Sequence, residues 1–305
     1  MIDFKTPEPS DRSWVNDCLE RAKERGCEYN FINLVAWQQE YKQVCAQVDG
    51  FFVERLCGSL GGSYLFPVGG TDLEGVVGKL TEDANAQGQP LRLICVTPDH
   101  IKELEARFPG EFEYTTDRFG FDYLYEIDRL ADLNGKKLHA KRNHINSFQQ
   151  EYPDWTFELI TPENLPECME MDEQWYRLNR GYDGDETLGA EGIALRTAMQ
   201  HYYELGLDGG LLRAGGRVVA FTVGSAMFGD TYDVHFEKAF SDVRGAYAMI
   251  NREFVRWIRE HYPQVRYINR EDDMGVEGLR KAKESYYPDL MVEKHSAIRK
   301  SEGLK

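Results

Sequence analysis

The 305-residue sequence contains no C-x-x-C pair and no closely spaced histidines. Its six cysteines occur singly, which favours reduced structural thiols over disulfides or a zinc centre. Its seven histidines form no H-x-x-x-H or H-x-H motif, spacings that are typical of metal ligands. The sequence therefore predicts no bound metal and no tightly bound cofactor.

Long apolar runs are also missing. No stretch approaches the roughly 18 apolar residues that a membrane span needs. The N-terminal residues MIDFKTPEPSDRSW carry acids and prolines, whereas a secretory signal needs a basic start and an apolar core. We therefore expect no membrane span and a cytoplasmic location.

Positive charge is scarce, because 36 lysines and arginines face 52 aspartates and glutamates, giving a formal net charge of −16. Duplex DNA is therefore excluded as a partner, since binding it depends on many contacts between cations and phosphates. One basic cluster is present, formed by Lys136, Lys137, Lys141 and Arg142. It predicts a site for a phosphate-bearing donor, either coenzyme A or the acceptor end of tRNA. The alternative is a basic helix that packs on an acidic protein.

Hydrophobic periodicity predicts two halves with the same order of elements: two helices, three strands, helix, strand, helix and strand, with one further strand opening the second half. The first half has predicted helices at 12–25, 31–42, 72–87 and 99–108, and strands at 43–48, 51–57, 63–68, 91–97 and 121–127. The second half has predicted helices at 163–178, 190–205, 246–261 and 275–285, and strands at 155–161, 210–214, 217–228, 231–238, 265–269 and 290–297. We therefore predict an N-terminal domain at 1–130 and a C-terminal domain at 131–305 that carries the active cleft.

The segment 231–258 is predicted to form a strand, a turn and an amphipathic helix. Apolar helix residues recur at spacings of three and four, so the opposite residues should face away from the core. The inward set is Tyr247, Ile250, Phe254, Trp257 and Ile258, and the outward set is Asn251, Arg252, Arg256 and Arg259. The turn residues Arg244, Gly245 and Ala246 precede free helix amides, which favour an anionic donor group. An ordinary strand-to-helix turn is the alternative.

His235 and Glu237 are candidate catalytic bases on the predicted strand 231–238. They share one face with Asp233, while Tyr232, Val234 and Phe236 form the other. A histidine beside a carboxylate becomes a better base, and a carboxylate near a second acid has a raised pKa. The alternative is a solvated or ion-paired side of the sheet.

A second group of candidates follows the predicted strand 265–269. Asn269, Asp272 and Asp273 lie at its carboxyl end, where open sheets bind ligands, and they are predicted to bind substrate. Glu271 and Lys283 are predicted to be catalytic. As an alternative, the two aspartates cap the following helix, and Lys283 lies on its solvent-exposed face with Arg280 and Lys281. That helix is predicted to turn Leu279, Ala282 and Tyr286 inward, and Tyr286 either lines the acceptor pocket or fills the core.

The order of elements resembles the GNAT acyltransferase fold, in which the pyrophosphate of the acyl donor lies at the helix after the fourth strand. Two such units in one chain resemble the Fem-type peptidyltransferases and the C-terminal domain of phosphatidylglycerol lysyltransferases. Two segments are most similar to the latter family, GKKLHAKRNHINSF (135–148) and INREDDMGVEGLRKAKESYYPD (268–289). The resemblance implies an α+β fold of two tandem GNAT-like domains, with mixed, mostly antiparallel sheets flanked by helices.

The resemblance also implies an activity. The chain is expected to move an activated acyl group, from aminoacyl-tRNA or acyl-CoA, to an amine or hydroxyl of a small molecule or lipid headgroup. The GNAT donor loop has Gln or Arg and then Gly or Ala where this chain has Asp242 and Tyr247. This departure leaves open an alternative from another class, a non-catalytic GNAT-like protein that binds a small anionic ligand or a protein partner.

Overall fold

The computed structural model describes residues 2–58, 60–179 and 185–300, with side chains at 185–188 left aside. Within these residues the chain divides into two compact units. The first comprises Met1–Asp122, Asp272–Gly275 and Met291–Lys305, and the second comprises Tyr123–Glu271 and Val276–Leu290. Each unit is therefore built from separate stretches of the chain.

Every predicted helix is present. In chain order the helices are α1 (Arg12–Ala22), α2 (Phe31–Ala36), α3 (Gln38–Tyr41), α4 (Leu73–Ala86), α5 (Pro98–Arg107), α6 (Ile127–Asp132), α7 (His139–Glu151), α8 (Leu165–Asn179), α9 (Asp185–Gln200), α10 (Tyr202–Leu205), α11 (Ala246–His261) and α12 (Glu277–Glu284). Helices α6 and α7 lie outside the predicted set, and the predicted helices 31–42 and 190–205 are each divided in two. The start and end of α11 match the prediction, because its apolar stripe is strong and Gly245 precedes it.

The strands also follow the predicted order, with additions. They are β1 (Val44–Val48), β2 (Phe51–Leu56), β3 (Ser63–Leu65), β4 (Arg92–Val96), β5 (Phe112–Thr116), β6 (Asp122–Glu126), β7 (Thr156–Leu159), β8 (Asp208–Ala214), β9 (Arg217–Ala226), β10 (Thr231–Ala239), β11 (Tyr267–Asn269), β12 (Leu290–Val292) and β13 (His295–Arg299). Strand β5 escaped prediction because Phe112 is its one fully buried residue, so it lacks an apolar signal.

Each sheet contains antiparallel neighbours and a parallel pair. The described strands of the first sheet run β1-β2-β3-β4-β13-β5, and β3 is parallel to β4. Those of the second run β12-β6-β11-β10-β9-β8-β7, and β10 is parallel to β11. In each sheet a long helix, α4 or α11, connects the two parallel strands. This shared arrangement is the structural basis of the repeated element order.

Two strands lie in a different sheet from the one that their position in the chain suggests. Strand β6 pairs with β11 in the second sheet, while β13 pairs with β4 and β5 in the first. The predicted strand 290–297 is therefore two strands in two sheets. The two compact units differ from the predicted ranges 1–130 and 131–305 in where they place these strands. The difference arises because each strand pairs with a partner far away along the chain.

Four expectations about buried helix faces are wrong. Asn251, expected to face away from the core, is 2% exposed, whereas Tyr247 is 39% exposed. In α12, Leu279 is 38% exposed and Ala282 is exposed, although both were expected to face inward. Tyr286, which follows α12, is buried as predicted. The described helices include none with the length and apolar composition of a membrane span.

Candidate functional site

The parallel strands β10 and β11 separate within the second unit. Their pairing runs from Thr231 with Tyr267 to Asp233 with Asn269, where β11 ends. Strand β10 continues along β9 to Ala239, with a register shift between Val234 and Phe236. We call the separation the fork, formed by residues 233–237 and 269–271. Open sheets bind ligands where neighbouring strands diverge at their carboxyl ends.

His235 joins the two sides of the fork. Its Nδ1 lies 3.2 Å from Oε1 of Glu271 and 3.6 Å from Oδ2 of Asp233. Its Nε2 lies 3.0 Å from Oγ of Ser225 on β9. The His235 and Asp233 side chains are fully buried, so this face is not solvated, whereas their contacts agree with the ion-paired form of the alternative. With both ring nitrogens in hydrogen bonds, the imidazole orients its neighbours.

Glu271 is held in an uncommon backbone conformation. Its φ is 54°, in the left-handed region that residues other than glycine seldom adopt. Its amide donates to Oδ1 of Asn269 at 2.7 Å, and its carbonyl accepts from the amide of Tyr123 at 3.2 Å. Its side chain remains 18% exposed. The backbone therefore aims one accessible carboxylate at the buried imidazole, and such strained residues cluster at functional sites.

Glu237 forms a second connection across the fork. Its Oε1 accepts from Nη2 of Arg270 at 2.9 Å, and its Oε2 accepts from Nδ2 of Asn251 on α11 at 3.1 Å. The side chains of Glu237 and Arg270 are 10% and 14% exposed. A partly buried ion pair with a second hydrogen bond holds its geometry firmly.

Lys283 is buried beside the fork and does not lie on the solvent-exposed face of α12. It is 7% exposed, and its ammonium donates to the carbonyl of Arg270 at 2.5 Å. Its own carbonyl accepts from the hydroxyl of Tyr125 at 2.7 Å. The alternative that grouped Lys283 with exposed Lys281 is therefore wrong. Through these contacts Lys283 holds in place the segment that carries Arg270 and Glu271.

Two cations contact the buried ring of Tyr286. Cζ of Arg270 lies 5.0 Å and Nζ of Lys141 lies 3.9 Å from the ring centroid. Tyr125 packs against the same ring edge-on, at 6.4 Å and 79°. The Lys141 ammonium donates to Oγ of Ser285 at 2.7 Å. Burial, with the neighbouring charge of Arg270, lowers the pKa of Lys141 to about 8.

The other three members of the basic cluster have different contacts. Lys136 and Lys137 are exposed, and Nζ of Lys137 lies 5.1 Å from the ring centroid of Tyr287. Arg142 donates to the carbonyls of Leu133 and Gly135. Lys141 is therefore the member of this group that reaches Tyr286.

The turn before α11 lies at its predicted position. Arg244 is exposed, and Ala246 is buried. Gly245 has φ 87°, and a Cβ there would lie 2.2 Å from the carbonyl oxygen of His144 on α7. The close approach of α7 explains the glycine. The helix begins with no side-chain cap at this residue.

Asp272 and Asp273 belong to the first unit, unlike the fork. Oδ1 of Asp272 accepts from the amide of Met274 at 3.0 Å, and Oδ1 of Asp273 accepts from that of Gly275 at 2.9 Å. Asp273 also lies 3.7 Å from a guanidinium nitrogen of Arg118. Both carboxylates thus order the 272–275 turn, and α12 begins after Val276.

Two groups of described side chains have donor atoms close enough to share a metal ion. Asp233, His235 and Glu271 form one at the fork, and Cys27, Glu28 and Asp122 form the other in the first unit. In the second group the ammonium of Lys294 lies 2.7 Å from Glu28 and 2.6 Å from Asp122. A protein cation therefore already pairs with both acids. The absence of a metal stays a prediction.

Sequence reasoning missed three contributors to the fork. Ser225 gives no local signal, because it is one small residue in an apolar strand. Arg270 lies in the polar run after β11. Its position between the two candidates Asn269 and Glu271 was the sequence signal that could have identified it. Asn251 was set aside because it lies opposite the apolar stripe of α11, yet its amide reaches Glu237.

Comparison with known proteins adds the following. The family model described as phosphatidylglycerol lysyltransferase, C-terminal, matches residues 19–298. A crystal structure of a conserved protein of unknown function from Bacteroides thetaiotaomicron VPI-5482 is 41% identical, covers 98% of this chain and 100% of that one, and has a TM-score of 0.93. The structure of L-PGS from Bacillus licheniformis is 16% identical over 98% of this chain and 94% of that one, with a TM-score of 0.65.

A curated protein also matches, over a shorter range. It is the uncharacterized protein MYCGA3080 of Mycoplasmoides gallisepticum, 24% identical over 179 residues, or 57% of this chain and 54% of that protein. The matched range thus spans about half the length of this relative. The similar solved structures, together with the mixed sheets and flanking helices, confirm the expected α+β fold of two GNAT-like domains.

Proposed function

The chain belongs to the phosphatidylglycerol lysyltransferase C-terminal family, and we propose that it is an aminoacyltransferase. It moves an activated aminoacyl group to an amine or hydroxyl of a small molecule or lipid headgroup. The observation that carries the proposal is the contact of His235 with Glu271 across the fork, at 3.2 Å. It presents an oriented, accessible carboxylate where an acceptor can meet a donor carbonyl.

The proposed donor is the aminoacyl ester of tRNA, and acyl-CoA is the competing donor. Asp242 and Tyr247 occupy the outer positions of the turn before α11, where the GNAT pattern for acyl-CoA has other residues. The first amides of α11 and its dipole still favour an anionic group. Arg244 is exposed beside them. This combination supports a phosphate-bearing donor other than coenzyme A.

Glu271 is the proposed general base, and His235 is the residue that positions it. Glu237 and His235 were the bases expected from sequence, but the His235 ring is fully buried and Glu237 is engaged by Arg270 and Asn251. The acceptor O–H or N–H gives its proton to Glu271 as the acceptor atom attacks the ester carbonyl. The tetrahedral intermediate then collapses, and the departing ribose hydroxyl of tRNA takes up that proton.

A transfer assay tests the proposal. The purified chain is incubated with a mixture of radiolabelled aminoacyl-tRNAs, or with labelled acetyl-CoA, in the presence of glycerol-headgroup lipids and small amines. We expect labelled acceptor from aminoacyl-tRNA and a loss of at least about 100-fold in Glu271→Gln. The matched control is Glu151→Gln, at the exposed end of α7. Equal rates in Glu271→Gln and wild type would refute the assignment.

The departures at Asp242 and Tyr247 also favour a second function, the non-catalytic binding of a small anionic ligand. Both functions predict ligand binding at the second unit, but only the first predicts turnover. If anions bind and no aminoacyl or acyl donor is consumed under any acceptor condition, the binding function replaces the transferase.

A further inference from the structure

The guanidinium of Arg270 has an unused hydrogen-bond donor. Nη2 pairs with Glu237, whereas Nη1 is buried and has no partner among the described residues. Tyr125 and Tyr286 lie beside the group, with ring centroids 5.9 Å and 5.0 Å from its Cζ. Buried donors in native proteins are nearly always paired, so an unpaired one calls for an acceptor from outside the chain.

Lys141 supplies a second cation at the same tyrosine ring. Its Nζ lies 3.9 Å from the centroid of Tyr286, and its described hydrogen bond is to the neutral hydroxyl of Ser285. The charged and titratable groups around it are Arg270, Glu237 and Tyr286. The lowered pKa of Lys141 shows that these surroundings disfavour its positive charge.

The charges at this place do not balance. Arg270 and Lys141 contribute two positive charges below pH 8, and Glu237 contributes one negative charge that also accepts from Asn251. Buried charges in proteins are normally paired. A ligand with one negative charge would neutralise the second cation and offer an acceptor to Nη1.

We propose that Arg270 and Lys141 bind an oxyanion, a carboxylate or a phosphate ester, carried by the acceptor substrate. The assignment of the anion to the acceptor rests on the proposed transfer function, because Glu237 and Arg270 place it next to the proposed base Glu271. The binding itself does not depend on catalysis. Guanidinium and ammonium groups are the side-chain donors that proteins use to bind carboxylates and phosphates.

Calorimetric titration in the absence of any donor tests the site. The probes are glycerol 3-phosphate, inorganic phosphate and N-acetylglycine, so that the phosphate and carboxylate sources are separated. At pH 7 we expect binding of at least one probe, weakened at least tenfold in Lys141→Met and in Arg270→Lys. Binding should take up protons, because an anion raises the pKa of Lys141, and should weaken as pH rises from 7 to 9.5. Lys141→Met should lose this pH dependence.

Lys281→Met is the matched control, since Lys281 on α12 is 72% exposed at its side chain and pairs with Glu277. Its affinity should equal that of wild type. Absence of binding by every probe at 10 mM, taken as a rough upper limit for a weak site, overturns the proposal, and so does equal weakening in Lys281→Met. Transfer without anion binding would refute this site alone, whereas anion binding without transfer would refute the proposed function alone.

Discussion

Nδ1 of His235 on β10 lies 3.2 Å from Oε1 of Glu271, which follows β11 and is 36 positions further along the chain. Two local irregularities accompany the contact. A register shift in β10 between Val234 and Phe236 places His235, and a left-handed residue just after β11 places Glu271. If the register of Asp233 with Asn269 continued regularly, it would also set His235 opposite Glu271, so the irregularities adjust this contact at the point where the regular pairing stops.

His235→Gln should lower the rate of aminoacyl transfer by about 10- to 100-fold, because Glu271 loses its oriented partner. The folded state should survive, since glutamine can still bond to Ser225 or Glu271. A positioning role also predicts a shift in the pH profile of kcat, which a purely structural role would leave in place. His261→Gln, at the exposed end of α11, is the control. An unchanged pH profile would contradict the role given to His235.

Asn251→Ala should destabilise the protein by about 1–3 kcal/mol, because it leaves a nearly buried carboxylate of Glu237 without one of its donors. Urea unfolding measures the change. Asn146→Ala, at an exposed position of α7, should cost less than about 0.5 kcal/mol. Similar losses in the two variants would show that the Asn251 amide contributes no special stability.

The sequence predicts local structure well where one signal dominates. The apolar stripe of α11 fixes both its ends, and the alternation in β10 fixes a strand with His235 and Glu237 on it. The order of elements also carries the tandem arrangement. Several candidate site residues, among them His235, Glu237 and Glu271, do meet at the fork.

The remaining features depend on contacts that are distant along the chain. The exchange of β6 and β13 between sheets is decided by strand partners more than 100 residues away. The role of Asn251 depends on Glu237, a residue of β10 that is 14 positions earlier in the chain and in a different element. The sequence could not distinguish among the four members of the basic cluster as candidates for anion binding. In the structure, the one that reaches the ring of Tyr286 is Lys141 on α7.

Stability should fall as pH rises because of Glu54, a residue of β2 that is 4% exposed. Burial raises the pKa of Glu54 to about 8 from an ordinary value of 4.5. The folded state therefore binds this proton more tightly than the unfolded state, and the stabilisation is lost between pH 4.5 and 8. Glu54→Gln should have the wild-type melting temperature near pH 4.5 and a higher one at pH 8.

Glu113→Gln is the control for that measurement, because Glu113 is an exposed strand residue of the same unit. Its melting curve should follow wild type across the whole pH range. A difference between Glu54→Gln and wild type that stays constant with pH would mean that Glu54 is ionised to the same extent in the folded and unfolded states.

Alanine substitutions at two glycines with positive φ distinguish the cost of backbone strain from the cost of a steric clash. Gly216, in the turn between β8 and β9, has φ 75° and open space where a Cβ would lie, so Gly216→Ala should cost about 1–2 kcal/mol. At Gly245 a Cβ would lie 2.2 Å from the carbonyl oxygen of His144, so Gly245→Ala adds a backbone clash. We expect a loss of at least about 3 kcal/mol in urea unfolding. Equal costs at the two positions would show that α7 can move away from the start of α11, and the turn would then be free to open for a donor.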